Sequence, residues 1–281
     1  MSYLLIPNLH VQTANVLHSS FLVGGPPVMA AFFFAHAMGR QLGKQVQVSA
    51  VAYIHHHRQV LGEQFGRTSL QQRRGAAFTF SNKPKKDYSS KNEHALSLQP
   101  VANAHLRLSL IIEIERLTSV DSVSRFLYGA RFSGGQIISH DTPVRFDELE
   151  DALDKAPDGF YVLDRSDLMQ KRNGKNQAET LVAQLGANPK CPPTPSWLSA
   201  ACLGYAMLTP FADRQGAREG YRHAFAEPLI GLVQYQSSRQ FLKEREDPSR
   251  ESENMRRKPE SILWKSEWLQ NDVYRLYQEN N

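Results

Sequence analysis

The chain has 281 residues, 41% of them hydrophobic and 22% charged, with 33 Lys and Arg against 28 Asp and Glu. That apolar fraction excludes disorder as the main state and is enough for one large domain or two small ones. Two cysteines exclude a disulfide-dense module, and no segment approaches the ~20 apolar residues of a membrane-spanning helix. Met1-Ser2-Tyr3 lacks the basic start of a secretory signal, so a cytoplasmic protein is expected. The net charge of +5 is unevenly spread. Residues 1–140 carry 14 Lys and Arg against 6 Asp and Glu, and residues 141–281 carry 19 against 22. Such asymmetry suits a polyanion partner on one side of the molecule.

In chain order, residues 3–11 read as a short apolar strand. Gly24-Gly25-Pro26-Pro27 then introduces a helix over 28–42 that stops at Gly43, and 45–57 reads as a second strand. The clearest pattern lies at 104–115, where Leu106, Leu108, Leu110, Ile112 and Ile114 alternate with Arg107, Ser109, Ile111, Glu113 and Glu115. Period two predicts a half-buried strand with one face available to water or a ligand. Residues 119–128 read as a helix capped by Ser119, and 134–139 as a further strand. The order β-α-β-β-α-β predicts an α+β protein with a ferredoxin-like, RRM-like core over 1–145, interrupted by a basic insertion at 62–100. That fold places helices on one sheet face and leaves the other open.

A second, less regular α/β half is expected at 146–281, packed on the core. It comprises a helix at 146–155, a strand at 159–164, and a helix over 166–185 broken near Asn173-Gly174. Beyond these come a proline-rich linker, a strand at 202–208, and 224–236 as helix or strand. The mixed-charge stretch 240–258 reads as an exposed helix or loop, and 261–277 as a closing helix with Trp264 and Trp268 one turn apart in the core.

Arg67, Arg73, Arg74, Lys83, Lys85, Lys86 and Lys91 crowd one segment, with Asp87 its sole acid and Phe78, Phe80 and Tyr88 interleaved. Cations neutralise phosphates and rings stack on unpaired bases, so the segment suits single-stranded nucleic acid; a solvated hairpin is the alternative. Nine of ten histidines fall in the first half, among them His55-His56-His57, which strict alternation would divide with His55 and His57 on one face. Without further ligands at metal spacing, no metal site and no cofactor are expected. Gly134-Gly135 after Arg131 offers backbone amides to a phosphate, and no nucleotide-binding or common hydrolase motif is present. The residues expected to contact RNA are Asn15, His18, Arg67, Arg73, Arg74, Phe78, Phe80, Arg131, Gly134 and Gly135.

Leu4-Leu5-Ile6-Pro7-Asn8-Leu9 with Val11-Gln12-Thr13-Ala14-Asn15, then Gly25-Pro26-Pro27 and His36-Ala37, resemble the second Csy subunit of type I-F CRISPR surveillance complexes. The likeness resumes at Ala104-His105-Leu106, Gly134-Gly135-Gln136-Ile137, Gly159-Phe160-Tyr161-Val162-Leu163 and Gly204-Tyr205. The resemblance implies a non-catalytic RAMP-type protein with an RNA-recognition-like fold that caps the 5′ handle of the crRNA. It also implies pairing with the large Csy subunit and contact with the first repeated backbone subunit, and it leaves open a contact with target DNA through the assembled complex. No membrane partner is expected. A repeat-cleaving endoribonuclease using His18 or His56, and a protein-only scaffold, stand as alternatives.

Overall fold

β1 (Ser2–Asn15) is a long strand that bends at two bulges, where Asn8 and Thr13 adopt positive φ. The computed structural model describes residues 1–19, 22–64, 68–74, 98–170, 176–186, 197–215, 220–246 and 258–279. α1 (Val28–Leu42) starts behind Pro27 and ends at Gly43, as the flanking prolines and glycine predict. It buries Val28, Met29, Ala31, Phe32, Phe34, Ala35 and Met38. β2 (Gln47–Gln64) is longer than its alternating start suggests, continuing into an arm made with β3 (Thr68–Arg74) and β4 (Leu98–Val101). β5 (Asn103–Glu115) returns antiparallel between β1 and β2. α2 (Val120–Gly129) is capped by Ser119, whose hydroxyl accepts from the Asp121 amide. β6 (Arg131–Phe132) and β7 (Gly135–Ser139) form a tight hairpin on the outer edge of β1, and β8 (Val144–Phe146) pairs with the start of β1.

α3 (Leu149–Lys155) leads to β9 (Phe160–Asp164), which hydrogen-bonds to β2, so the strands after residue 145 extend the same sheet. α4 (Ser166–Gln170) and α5 (Gln177–Gln184) follow, then β10 (Leu198–Met207), β11 (Ala226–Ser237) and α6 (Ser238–Glu246). The expected closing helix at 261–277 is instead a 3₁₀ turn (Pro259–Ile262) and a hairpin of β12 (Lys265–Leu269) and β13 (Val273–Tyr277). Gln270 and Asn271 both have positive φ, and the Asp272 amide closes the turn on Leu269 O at 3.2 Å. Two consecutive positive-φ residues in the three-residue loop 270–272 match strand twist, and the Trp, Val and Tyr flanking it are good strand formers. Trp264 is fully buried and donates its Nε1–H to Val162 O at 3.0 Å, whereas Trp268, expected in the core, is 49% exposed. The main path of the sheet runs β12-β13-β10-β11-β9-β2-β5-β1-β7-β6, with antiparallel neighbours throughout.

Both faces of the sheet carry core. On one, Leu106, Leu108, Leu110, Ile112 and Ile114 of β5 pack with Leu4, Ile6 and Val11 against α1 and α2. On the other, Leu5, Ala50, Ala52, Ile54 and Ile111 pack under Leu149 and Leu153 of α3, Phe241 of α6, and Ile262 and Leu263. The second face is therefore not open along its length, contrary to the expectation from period two. Residues far along the chain cover its lower part, and only the end beyond Ser109 stays exposed.

Candidate nucleic-acid interface

Two sheet rows locate the uncovered end. In the outermost, Asn15 of β1 lies opposite Asn103 of β5, which lies opposite Leu61 of β2. Just past Leu61 and Asn103, β2 and β5 run into the arm, so the root of the basic insertion emerges beside Asn15.

The Gly134-Gly135 hairpin closes on the same corner. The Asn15 amide donates to Ser133 O and the Ser133 hydroxyl donates to Asn15 O, both at 2.7 Å, while the Asn15 carboxamide oxygen caps the Leu17 amide at 2.9 Å. Gly135 presses against β1 so closely that a Cβ there would lie 2.6 Å from both Ala14 N and Gln12 O. Gly134 has φ +76° and open space around it, leaving its backbone presented to solvent with Arg131 folded over it, Nη1 donating to Gly134 O at 3.3 Å. Asn15, Arg131, Gly134 and Gly135 are thus brought together.

His18 stands on the helix side of the sheet, its Nε2–H donating to Gly25 O at 3.1 Å, and Arg58 donates to Gly24 O. Burial and the nearby Arg58 cation hold the His18 imidazole below its ordinary pKa, against the opposing pull of the Gly25 carbonyl. Arg73 and Arg74 lie on β3 opposite Gln99 and Leu98 of β4, within the arm. Arg67, Phe78 and Phe80 lie outside the described residues.

The run His55-His56-His57 does not divide between the faces as strict alternation predicts. A bulge in β2 between His55 and His57 defeats strict alternation. His55 pairs with Leu108 and turns to the helix side beside Tyr53 and Tyr235, while His57 pairs with Arg107 on the opposite face. Burial, then Arg58, pushes His55 down to about 4. His56, in the bulge, joins His57's face through a defined chain. Its Nδ1 is 2.9 Å from Asp158 O and its Nε2 is 2.7 Å from Ser109 Oγ, which lies 2.9 Å from the Asn8 amide nitrogen. A carbonyl only accepts, so Nδ1 carries the proton, Nε2 accepts from the Ser109 hydroxyl, and Ser109 accepts from Asn8. One buried serine thereby serves the bulges of both flanking strands. Burial holds His56 below its ordinary pKa; the Asp158 carbonyl opposes this, and Arg107 and His10 reinforce it. A pocket of about 280 Å³ lies alongside, lined by His56, Arg107, Phe160, Ser237, Ser238 and Arg239 among others. His105, Arg107 and Ser109 were not among the sequence candidates; their signal was the alternation of 104–115, which sets them on the face opposite the buried leucines.

Among the described residues no three His, Cys, Asp or Glu side chains come together as metal ligands, and no helix is long and apolar enough to cross a membrane. On the helix side a groove of about 430 Å³ exposes rings: Phe33 stacks on Tyr274 with centroids 5.8 Å apart, and Trp268 and Phe211 close its wall.

These features define a mixed α/β protein organised on an antiparallel sheet, with a polar, glycine-hinged corner at the root of an arm. The chain belongs to the CRISPR-associated protein (Cas_Csy2) family, whose model matches residues 4–189, more than half of the sequence. It is accordingly a Csy2-type protein of the type I-F systems, a Csy complex subunit. No curated protein matches the sequence.

Proposed function

We propose that the chain is a non-catalytic RNA-binding subunit of its Csy complex, holding the 5′ handle of the crRNA at the corner formed by Asn15, Arg131, Gly134 and Gly135. The observation that carries this reading is the register that sets Asn15, Asn103 and Leu61 in one row, so that the glycine hairpin and the root of the basic arm share a single sheet end. The solvent-facing backbone of Gly134 beside an arginine suits a phosphate, and an arm rich in cations and rings suits an unpaired strand. The strand order β2-β5-β1-β7, with α1 and α2 packed on one face, supports a ferredoxin-like core. In His56 both ring nitrogens are engaged, and His18 is bonded to Gly25 O, which favours a binding role over cleavage. The aromatic groove around Phe33 and Trp268 suits an apolar contact with a neighbouring subunit. The cytoplasm is the proposed site of assembly.

The test is fluorescence anisotropy with handle RNA over a salt series, comparing the unaltered chain with Arg131→Ala and with Arg73→Ala/Arg74→Ala. Each lost phosphate contact is expected to weaken binding and to reduce the salt slope by about one. An unchanged affinity and slope in both variants would remove the corner and arm from the RNA path. Incubation with repeat RNA in the absence of metal checks the enzyme reading, which clean cleavage would restore.

A further inference from the structure

We infer that a row of side chains across four strands, Ser139 of β7, His10 of β1, Arg107 of β5 and His57 of β2, is a phosphate track for single-stranded RNA in which imidazolium as well as guanidinium carries the charge. This rests on the RNA-binding reading above and assigns a surface which that reading leaves unused.

The pairing is direct. His10 stands opposite Ser139 on one side and Arg107 on the other, and Arg107 stands opposite His57. With neighbouring strands about 4.8 Å apart the row is about 14 Å long, and it lies about 13 Å along β5 from the Asn15–Asn103 row, one continuous surface with the corner. Arg107 and His57 are exposed and His10 is half-buried. An arginine directly flanked by two imidazoles is an unfavourable cross-strand arrangement whenever either ring is protonated. A carboxylate within the row would relieve it, and among the described residues none stands opposite His10, Arg107 or His57. Asp158 is ion-paired with Arg239, whose Nε donates at 2.9 Å, and Asp141, which accepts from the neutral Asn8 carboxamide at 2.7 Å, keeps its charge at the rim of the row. Among the described residues Arg107 has no ion-pair partner.

The other groups facing the row add no negative charge. Gln12 of β1 lies opposite Gln136 of β7, and Gln59 of β2 lies opposite His105 of β5. His105 Nδ1 accepts from the Thr13 amide at 3.3 Å, and His140 at the rim bonds to Asp141 O at 2.9 Å. Burial holds His56 below its ordinary pKa and both its ring nitrogens are engaged, so it forms the floor of the row. A row of guanidinium, imidazole and carboxamide donors with no acid in it is complementary to a chain of phosphodiesters. Because imidazole gains its charge in the pH range where arginine is invariant, the two contributions separate experimentally.

The experiment measures binding of the full chain to a short labelled oligouridylate at constant ionic strength, at roughly pH 6 and pH 8. Thermal unfolding at each pH confirms that the protein is folded. The unaltered chain is expected to bind about tenfold more tightly at the lower pH, and His10→Gln/His57→Gln to bind alike at both, near the level of the unaltered chain at pH 8. Arg107→Gln should weaken binding at both pH values and lower the salt slope by about one. RNA affinity independent of pH in the unaltered chain, or a pH dependence kept intact in the double variant, overturns the track while leaving the RNA-binding reading standing. Absence of RNA binding at every pH overturns that reading itself.

Discussion

Ser109 is the residue whose removal tests the architecture of the candidate interface most directly. Its side chain is fully buried, and its hydroxyl both accepts from the Asn8 amide and donates to His56 Nε2. Ser109→Ala keeps the volume of the site nearly unchanged and strands both partners at once. A buried group deprived of its only partner costs about 1–3 kcal/mol. Asn8 and His56 are each half-buried, so water recovers part of that cost, and about 2–3 kcal/mol of destabilisation is expected in total. For a chain of this size that corresponds to a fall in Tm of about 3–5 °C. Urea unfolding at neutral pH, followed by circular dichroism, measures it as a lower midpoint at unchanged slope. Because Ser109 and His56 act through one chain, Ser109→Ala/His56→Ala should lose less than the sum of the single variants. A loss under about 0.5 kcal/mol for Ser109→Ala, or strict additivity in the double variant, would refute the shared-serine account of the two bulges.

Acid should destabilise the protein through its buried imidazoles. His55 titrates near 6.5 when unfolded and at about 4 when folded, so the unfolded chain binds its proton first, and stability falls as pH drops from 6.5 towards 4, by about 3 kcal/mol in all. His55→Phe should flatten that part of the profile in urea unfolding at a series of pH values, and an unchanged slope would contradict it. Gly135→Ala sets a Cβ against the backbone of β1 and should cost several kcal/mol or abolish soluble expression, whereas Gly134→Ala meets only its positive φ and should cost about 1–2 kcal/mol. Equal effects of the two in thermal unfolding would count against the hairpin geometry. Trp264→Phe leaves the Val162 carbonyl short of one donor and opens a void where the C-terminal hairpin meets β2, with an expected loss of about 2–4 kcal/mol by urea unfolding.

The elements readable from the sequence were those whose signals are local. α1 falls where Pro26-Pro27 and Gly43 bracket it, α2 begins at a serine that caps it, and β5 follows from its alternation. Helix propensity, capping and side-chain period act over a few residues, so they are written where they operate. Asn15, Arg131 and Gly134-Gly135 were each picked out by residue type, whereas their meeting at one corner was written nowhere locally. The C-terminal hairpin was misread because Trp264 and Trp268 at spacing four satisfy a helical stripe. The two positive-φ residues at Gln270 and Asn271 were the competing signal.

What tertiary structure alone decided is which part of the second sheet face stays bare. Residues 149–153, 241 and 262–263 cover its lower part from a great distance along the chain, and no periodicity inside β5 records them. The bulges at Asn8 and His56 belong to the same class. Each shifts the register by one residue and moves a histidine or an asparagine to a new face, and each is held by a serine 101 and 53 residues away. Local free energies select the strands and helices, whereas the cost of leaving buried polar groups and apolar faces without partners selects how they are joined, and only the joined sheet sets His10, Arg107 and His57 in line.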